Sequence, residues 1–187
     1  MGDQLFKNKY RIKSIRLKHW DYSSCGAYYV TICTKDRKYF LGEIINGKMV
    51  LSEIGEMVVR EWQQTCEIRK NVELDEYIIM PDHLHGILFI NNSSVETCRG
   101  MSLQARIRTY NKFSKPVAQS LSMIINHFKS AVKRWCNKNG FPNFAWQSRF
   151  HESIVRNEKH LYVIREYIIN NPLKFELDKK DYLEPPY

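Results

Sequence analysis

Residues 74–90 read LDEYIIMPDHLHGILFI. Two runs rich in β-branched and aromatic residues, 74–80 and 84–90, are split by Pro81-Asp82, a turn-forming pair. The spacing predicts two neighbouring strands joined by a tight turn. The second run is continuously apolar after its start, the pattern of a strand covered on both faces and therefore central in its sheet. His83 and His85 stand at the mouth of that strand. Residues i and i+2 of a strand point to one face, so both imidazoles project together, about 7 Å apart along the backbone.

The flanking sequence supplies the rest of a sheet and its cover. Residues 10–18 (YRIKSIRLK) alternate apolar and basic, as a strand with one wet face does. Residues 27–34 (AYYVTICT) predict a buried strand, and Asn46-Gly47, between EII and KMVL, predicts a hairpin turn. Ser52 is placed to cap a helix over 53–69, where Ile54, Met57, Val58, Trp62 and Cys66 share a face. Residues 91–116 are polar, basic and without periodicity, which predicts a long mobile loop. A helix follows over 119–138, with Leu121, Ile124, Ile125, Phe128, Val132 and Trp135 as its apolar stripe and Gly140 and Pro142 after its end. Residues 150–156 (FHESIVR) predict a last strand. Asn157 then caps a helix over 158–170, closed by Asn171-Pro172, and about 178–187 form a loose tail. Strands joined by short turns, with helices between, make one α+β domain built on a mainly antiparallel sheet.

Length and composition agree with a single globular domain. The chain has 187 residues, 43% hydrophobic and 26% charged. No run of 18 apolar residues occurs, which argues against a membrane span. The five cysteines include no CxxC pair and read as reduced thiols, which points to a cytoplasmic protein.

The net charge is +9, and its distribution is uneven. Residues 1–96 are balanced and residues 152–187 are slightly acidic. Between Thr97 and His151 there is no Asp or Glu, while Arg99, Arg106, Arg108, Lys112, Lys115, Lys129, Lys133, Arg134, Lys138 and Arg149 all fall there. A charge run commonly serves as a solvated face. A long acid-free stretch also repels itself unless something negative answers it, and nucleic acid is the commonest such partner. Within and near this stretch Tyr110, Phe113, Trp135, Phe141 and Trp146 offer faces for base stacking, with Trp135 equally suited to the core. Arg149 and Arg156, on either side of the last predicted strand, are further phosphate contacts or plain surface arginines.

Two histidines on one strand face can grip a divalent ion, or can simply be polar residues held by hydrogen bonds at a strand end. A metal site needs further O or N ligands. Tyr167 and Asn171 are four residues apart, share a helix face, and carry a phenolic and an amide oxygen. Their plainer readings are an aromatic packed on the sheet and a helix cap.

Two segments together, YIIMPDHLHGILFI (77–90) and AWQSRFHESIVRNEKHLYVIREYIINNPLKF (145–175), resemble the HUH single-tyrosine transposases, in the branch of the REP-associated tyrosine transposases. The likeness runs from about residue 9 to 178 and rests on the MPxHxHG strand, the WQ segment and a helix ending YIxxNP. It implies a ferredoxin-like sheet with the HUH motif on a central strand. It implies that His83 and His85 bind Mg²⁺ or Mn²⁺ and that Tyr167 is the nucleophile. Members with a Tyr-x-x-x-Gln helix use the Gln as third ligand; this chain departs from that pattern with Asn171, one methylene shorter. Some relatives carry a Tyr in the segment that here reads RFHE, but Phe150 cannot act as a nucleophile. The resemblance implies a metal-dependent endonuclease that cleaves and rejoins single-stranded DNA, at hairpins, through a 5′-phosphotyrosine link. A phenol, with an ordinary pKa near 10, would depend on a nearby cation for activation. Some relatives dimerise with the tyrosine helix across the interface, so a homodimer is compatible with the resemblance. The other readings that the residues leave open are a DNA-hairpin-binding protein without catalysis and a metal phosphodiesterase that uses water.

Overall fold

The structure is a computed structural model that describes residues 20–91 and 119–183. The strand expected over 10–18, nearly all of the basic loop and the end of the tail lie outside those residues.

Four strands form the main antiparallel sheet: β1 (Gly26–Cys33), β4 (Val72–Met80), β5 (His83–Ile90) and β6 (His151–Ile154). They lie in the order β4-β5-β1-β6, and β2 (Gly42–Ile45) and β3 (Lys48–Leu51) make a separate hairpin around Asn46-Gly47. With α1 (Glu53–Ile68) between β1 and β4, and α2 (Leu121–Lys138) between β5 and β6, this is a ferredoxin-like α+β arrangement with a third helix, α3 (Glu158–Leu183), added after the last strand. β5 is central, flanked by β1 and β4. No helix among the described residues is long and apolar enough to cross a membrane.

Both sheet faces are covered, which is why β5 is apolar beyond the histidines at its start. On one face Tyr28, Val30, Ile32, Leu84, Leu88 and Ile90 pack with Val58 and Trp62 of α1 and Ile124, Phe128 and Val132 of α2. Both of those helices open on a serine cap: Ser52 Oγ accepts from Gly55 N–H, and Ser120 from Met123 N–H. The other face carries Ala27, Ile87 and Val155, covered by Leu161, Ile164 and Ile168 of α3. His83 and His85 alternate with Leu84 and so belong to this α3 face.

Gly86 sits between the faces at a close approach. A Cβ there would lie 2.6 Å from Trp62 Cζ2, so the indole needs a residue with no side chain.

The structure departs from the expected end of the last helix. α3 runs through Asn171-Pro172 to Leu183, into the stretch expected to be a loose tail. A proline inside a helix removes one N–H and crowds the carbonyl four residues back. Here tertiary contacts on the far side hold the helix on course. Asn171 and Pro172 are buried, Leu173 lies beside the hairpin turn at Gly47, and Phe175 meets the ring of Tyr39 at 6.2 Å. Cys33, Cys66 and Cys136 are free thiols, whereas Cys25 is disulfide-bonded, contrary to the expectation of five reduced cysteines.

Candidate active site

β-Strand alternation and register bring the polar residues of three strands onto the α3 face. Thr31 of β1 is paired with His85 of β5 on one side and with His151 of β6 on the other, and Cys33 is paired with His83. Tyr29, two residues before Thr31, shares that face. A groove of about 590 Å³ opens over this row, lined among others by Tyr29, Thr31, Arg37, His85, His151 and Tyr167.

The two imidazoles meet directly. His83 Nε2 and His85 Nε2 are 3.0 Å apart, with ring centroids 4.5 Å apart and nearly perpendicular planes. The second nitrogen of each ring is anchored. His83 Nδ1 lies 2.5 Å from Asp82 Oδ1, and His85 Nδ1 lies 2.7 Å from Tyr29 Oη and 2.9 Å from Thr31 Oγ1. The carboxylate can only accept, so His83 Nδ1–H donates to Asp82, and one proton lies between the two Nε2 atoms. On the far side of the ring His85 Nδ1 faces the hydroxyls of Tyr29 and Thr31, which are also hydrogen-bonded to each other. Burial, reinforced by His83 and Arg37, pushes the His85 pKa down to about 3, so the ring is neutral at ordinary pH.

The pair fits a divalent cation. Two nitrogens each about 2.1 Å from one ion at a right angle stand about 3.0 Å apart. The anchoring of each distal nitrogen by a carboxylate or a hydroxyl is the arrangement that fixes metal-ligating histidines. A cation would take the place of the proton between the two Nε2 atoms, with the ring proton of His85 carried on Nδ1 beside the hydroxyls. No third His, Cys, Asp or Glu converges with the pair among the described residues.

Tyr167 is brought to the pair by α3. Its ring stands edge-on to His85 at 5.3 Å and to Tyr29 at 6.5 Å. It is 43% exposed, so the phenol is open to the groove. Arg165, two residues earlier, fastens the helix to a bulge in β4 by donating from Nε and Nη2 to Asp75 Oδ2, at 3.0 and 2.7 Å. Asn171 is buried one turn beyond Tyr167, continuing the stripe of Leu161, Ile164 and Ile168. No hydrogen bond joins its amide to either histidine among the described residues.

Of the expected DNA contacts, Arg99, Arg106, Arg108, Lys112 and Lys115 lie outside the described residues. Two others are engaged within the fold. Lys129 Nζ donates to the carbonyls of Gln147 and Ser148, and Lys133 Nζ to those of Pro142 and Phe144. These lysines hold the 142–148 loop against the end of β1, where Gln147 N–H donates to Cys33 O and forms part of the groove wall. Arg134, Arg149 and Arg156 are exposed. Trp135 stacks on Phe141, and Trp146 packs between Phe128 and Phe144, so these three aromatics serve the core rather than stand ready as stacking platforms. Tyr110 and Phe113 lie outside the described residues.

The sequence reading did not find Tyr29, Thr31, Arg37 and Asp82. Asp82 had a local signal, a carboxylate adjoining His83. The other three reach the site only through strand register and a turn.

No family model matches the chain. It is 38% identical over 168 residues to an uncharacterized protein of Haemophilus influenzae strain Rd, a match that covers 89% of this chain and 91% of that one. The chain belongs to that protein's family. Its fold is that of a REP-associated tyrosine transposase. The structure of such a transposase bound to a REP hairpin aligns with 88% of this chain and 74% of its own at a TM-score of 0.58 and 19% identity, a likeness of fold.

Proposed function

We propose that this protein is a metal-dependent tyrosine transposase that cleaves and rejoins single-stranded DNA at hairpins. The observation that carries the reading is the placement of Tyr167 edge-on to His85 at 5.3 Å, in the same groove, beside two imidazoles whose Nε2 atoms are 3.0 Å apart. A nucleophile next to a cation-ready pair on a shared fold suits phosphodiester chemistry.

His83 and His85 would hold Mg²⁺ or Mn²⁺, with Asn171 as a further oxygen ligand from the tyrosine helix. The ion supplies charge neutralisation of the phosphodiester and favours the ionised phenol. Tyr167 Oη forms a bond to phosphorus as the bond from phosphorus to the 3′ oxygen breaks. The phenolic proton goes to solvent, and the 3′ oxygen takes a proton to leave as a hydroxyl. The product is a 5′-phosphotyrosine link that a second 3′-hydroxyl can reverse, joining DNA without ATP. Asp82, Tyr29 and Thr31 hold the imidazoles in register. The basic segment and the exposed Arg134, Arg149 and Arg156 would hold the DNA backbone.

A covalent-trapping gel tests this. The protein is incubated with labelled single-stranded hairpins from DNA flanking its gene, with Mn²⁺, and run under denaturing conditions beside Tyr167→Phe, His83→Ala and a chelator control. A shifted band lost in all three controls is expected. Hairpin binding with no adduct would favour a catalytically silent binder, and hydrolysis without an adduct a water-using phosphodiesterase.

A further inference from the structure

Arg37 occupies a turn that the backbone adopts against local preference. Asp36 has φ 56° and Arg37 φ 54°, both in the left-handed region that residues other than glycine seldom enter. Neighbouring bonds hold the turn in place: Lys35 N–H donates to Ala145 O at 2.8 Å, and Thr34 Oγ1 donates to Lys38 O at 2.8 Å. The side chain is equally constrained. Its Nε lies 2.7 Å from Asp82 Oδ2 in an ion pair, and its Nη1 donates to Cys33 Sγ at 2.9 Å. Asp82 uses its other oxygen on His83, so one buried carboxylate fixes both the imidazole and the guanidinium.

A guanidinium carries its five N–H donors on three nitrogens, and these contacts engage Nε and Nη1. Nη2 has no partner among the described residues. The side chain is half exposed and lines the same groove as His85 and Tyr167. A permanently charged planar group, held at Nε and Nη1 with Nη2 left to the groove, matches the non-bridging oxygens of a phosphodiester.

We propose that Arg37 is a phosphate-binding residue whose Nη2 donates to a non-bridging oxygen of the phosphodiester that Tyr167 attacks. This rests on the transferase reading. Arg37 keeps its protons throughout and steadies the charge that grows on the non-bridging oxygens as the new bond to phosphorus forms. Asp82 is then a positioning residue for both halves of the site.

The test uses a hairpin whose cleavage position has been mapped. Single-turnover adduct formation is compared for wild type, Arg37→Ala and Arg37→Lys, whose folding is checked by thermal melting. Each is given the natural phosphodiester and the two separated methylphosphonate isomers at the scissile position. The natural substrate is expected to react about 100-fold more slowly with Arg37→Ala, the usual cost of losing one oxyanion donor. The two isomers should differ in rate with wild type, because only one retains the oxygen facing Arg37, and that preference should change with Arg37→Ala. Hairpin affinity in EDTA should show a slope against log salt shallower by about 0.7 in that variant, as one phosphate contact is lost. An adduct formed by Arg37→Ala at the wild-type rate would overturn the assignment and leave the transferase intact. So would an isomer preference unchanged by the substitution. No adduct from wild type on the natural hairpin would overturn the transferase reading and this assignment together. The isomer comparison on wild type stands even if the variants fold poorly.

Discussion

The ring of Tyr167 stands edge-on to the imidazole of His85, their centroids 5.3 Å apart and their planes 68° apart. The contact uses ring carbons, so the hydroxyl is not needed to seat the side chain. Tyr167→Phe is expected to melt within a few degrees of wild type, a shift worth less than about 1 kcal/mol. The same substitution should abolish adduct formation. A Tyr167→Phe protein that still forms an adduct would assign the nucleophile to another residue.

Asp82 accepts from His83 Nδ1 and pairs with Arg37, and it is 3% exposed. Asp82→Asn removes the charge that fixes the His83 ring. Mn²⁺ affinity, measured by titration calorimetry on the protein alone, is expected to fall 10–100-fold, the usual effect of losing an outer-shell partner. Unchanged affinity would show that the ion does not use the His83–His85 pair.

Gly86 is flanked by His85 and Ile87, and a Cβ would meet Trp62 at 2.6 Å and Tyr77 Cβ at 3.3 Å. Neither neighbour is the free end of a flexible chain. Gly86→Ala should therefore cost about 1–3 kcal/mol in urea unfolding, the range for overpacking a core. Pairing it with Trp62→Phe should yield a coupling energy, since the two residues are in contact. Strict additivity would mean that the indole is not what excludes a side chain here.

Tyr28 is wholly buried, donates to Ser24 O at 2.9 Å and accepts from Trp20 Nε1 at 3.2 Å. Burial pushes its pKa up to about 12. A folded pKa above the unfolded value of about 10 means that the folded state holds its proton more tightly. The contribution is fully present below pH 10 and is lost as pH rises towards 12. That loss amounts to roughly 2–3 kcal/mol. Tyr28→Phe should flatten the fall in stability between pH 10 and 12, whatever it does to stability at pH 7. Urea titrations at successive pH values measure the slope, and equal slopes in the two proteins would refute the shift.

Much of the fold was legible because local chemistry and global structure agree. The apolar run at 84–90 became the central strand β5, the Asn46-Gly47 turn closed a hairpin, and Ser52 capped α1. The end of α3 was misread at Asn171-Pro172, where local propensity says stop. Contacts made by Leu173 and Phe175 to residues over a hundred positions earlier decide otherwise. Lys129 and Lys133 look in sequence like free phosphate binders, and their engagement by loop carbonyls follows only from how α2 packs.

The sequence by itself determined which atoms could meet on one strand: the two-residue period places His83 and His85 on a common face, and the carboxylate of Asp82 adjoins the first of them. That is short-range geometry, set by the backbone. Only the tertiary structure decided what faces the pair. Register between β1 and β5 brings Tyr29 and Thr31 to His85, the docking of α3 brings Tyr167, and a left-handed turn aims Arg37 along Asp82. Such partners come from distant segments, and their meeting depends on the packing of the whole sheet, which no local pattern encodes.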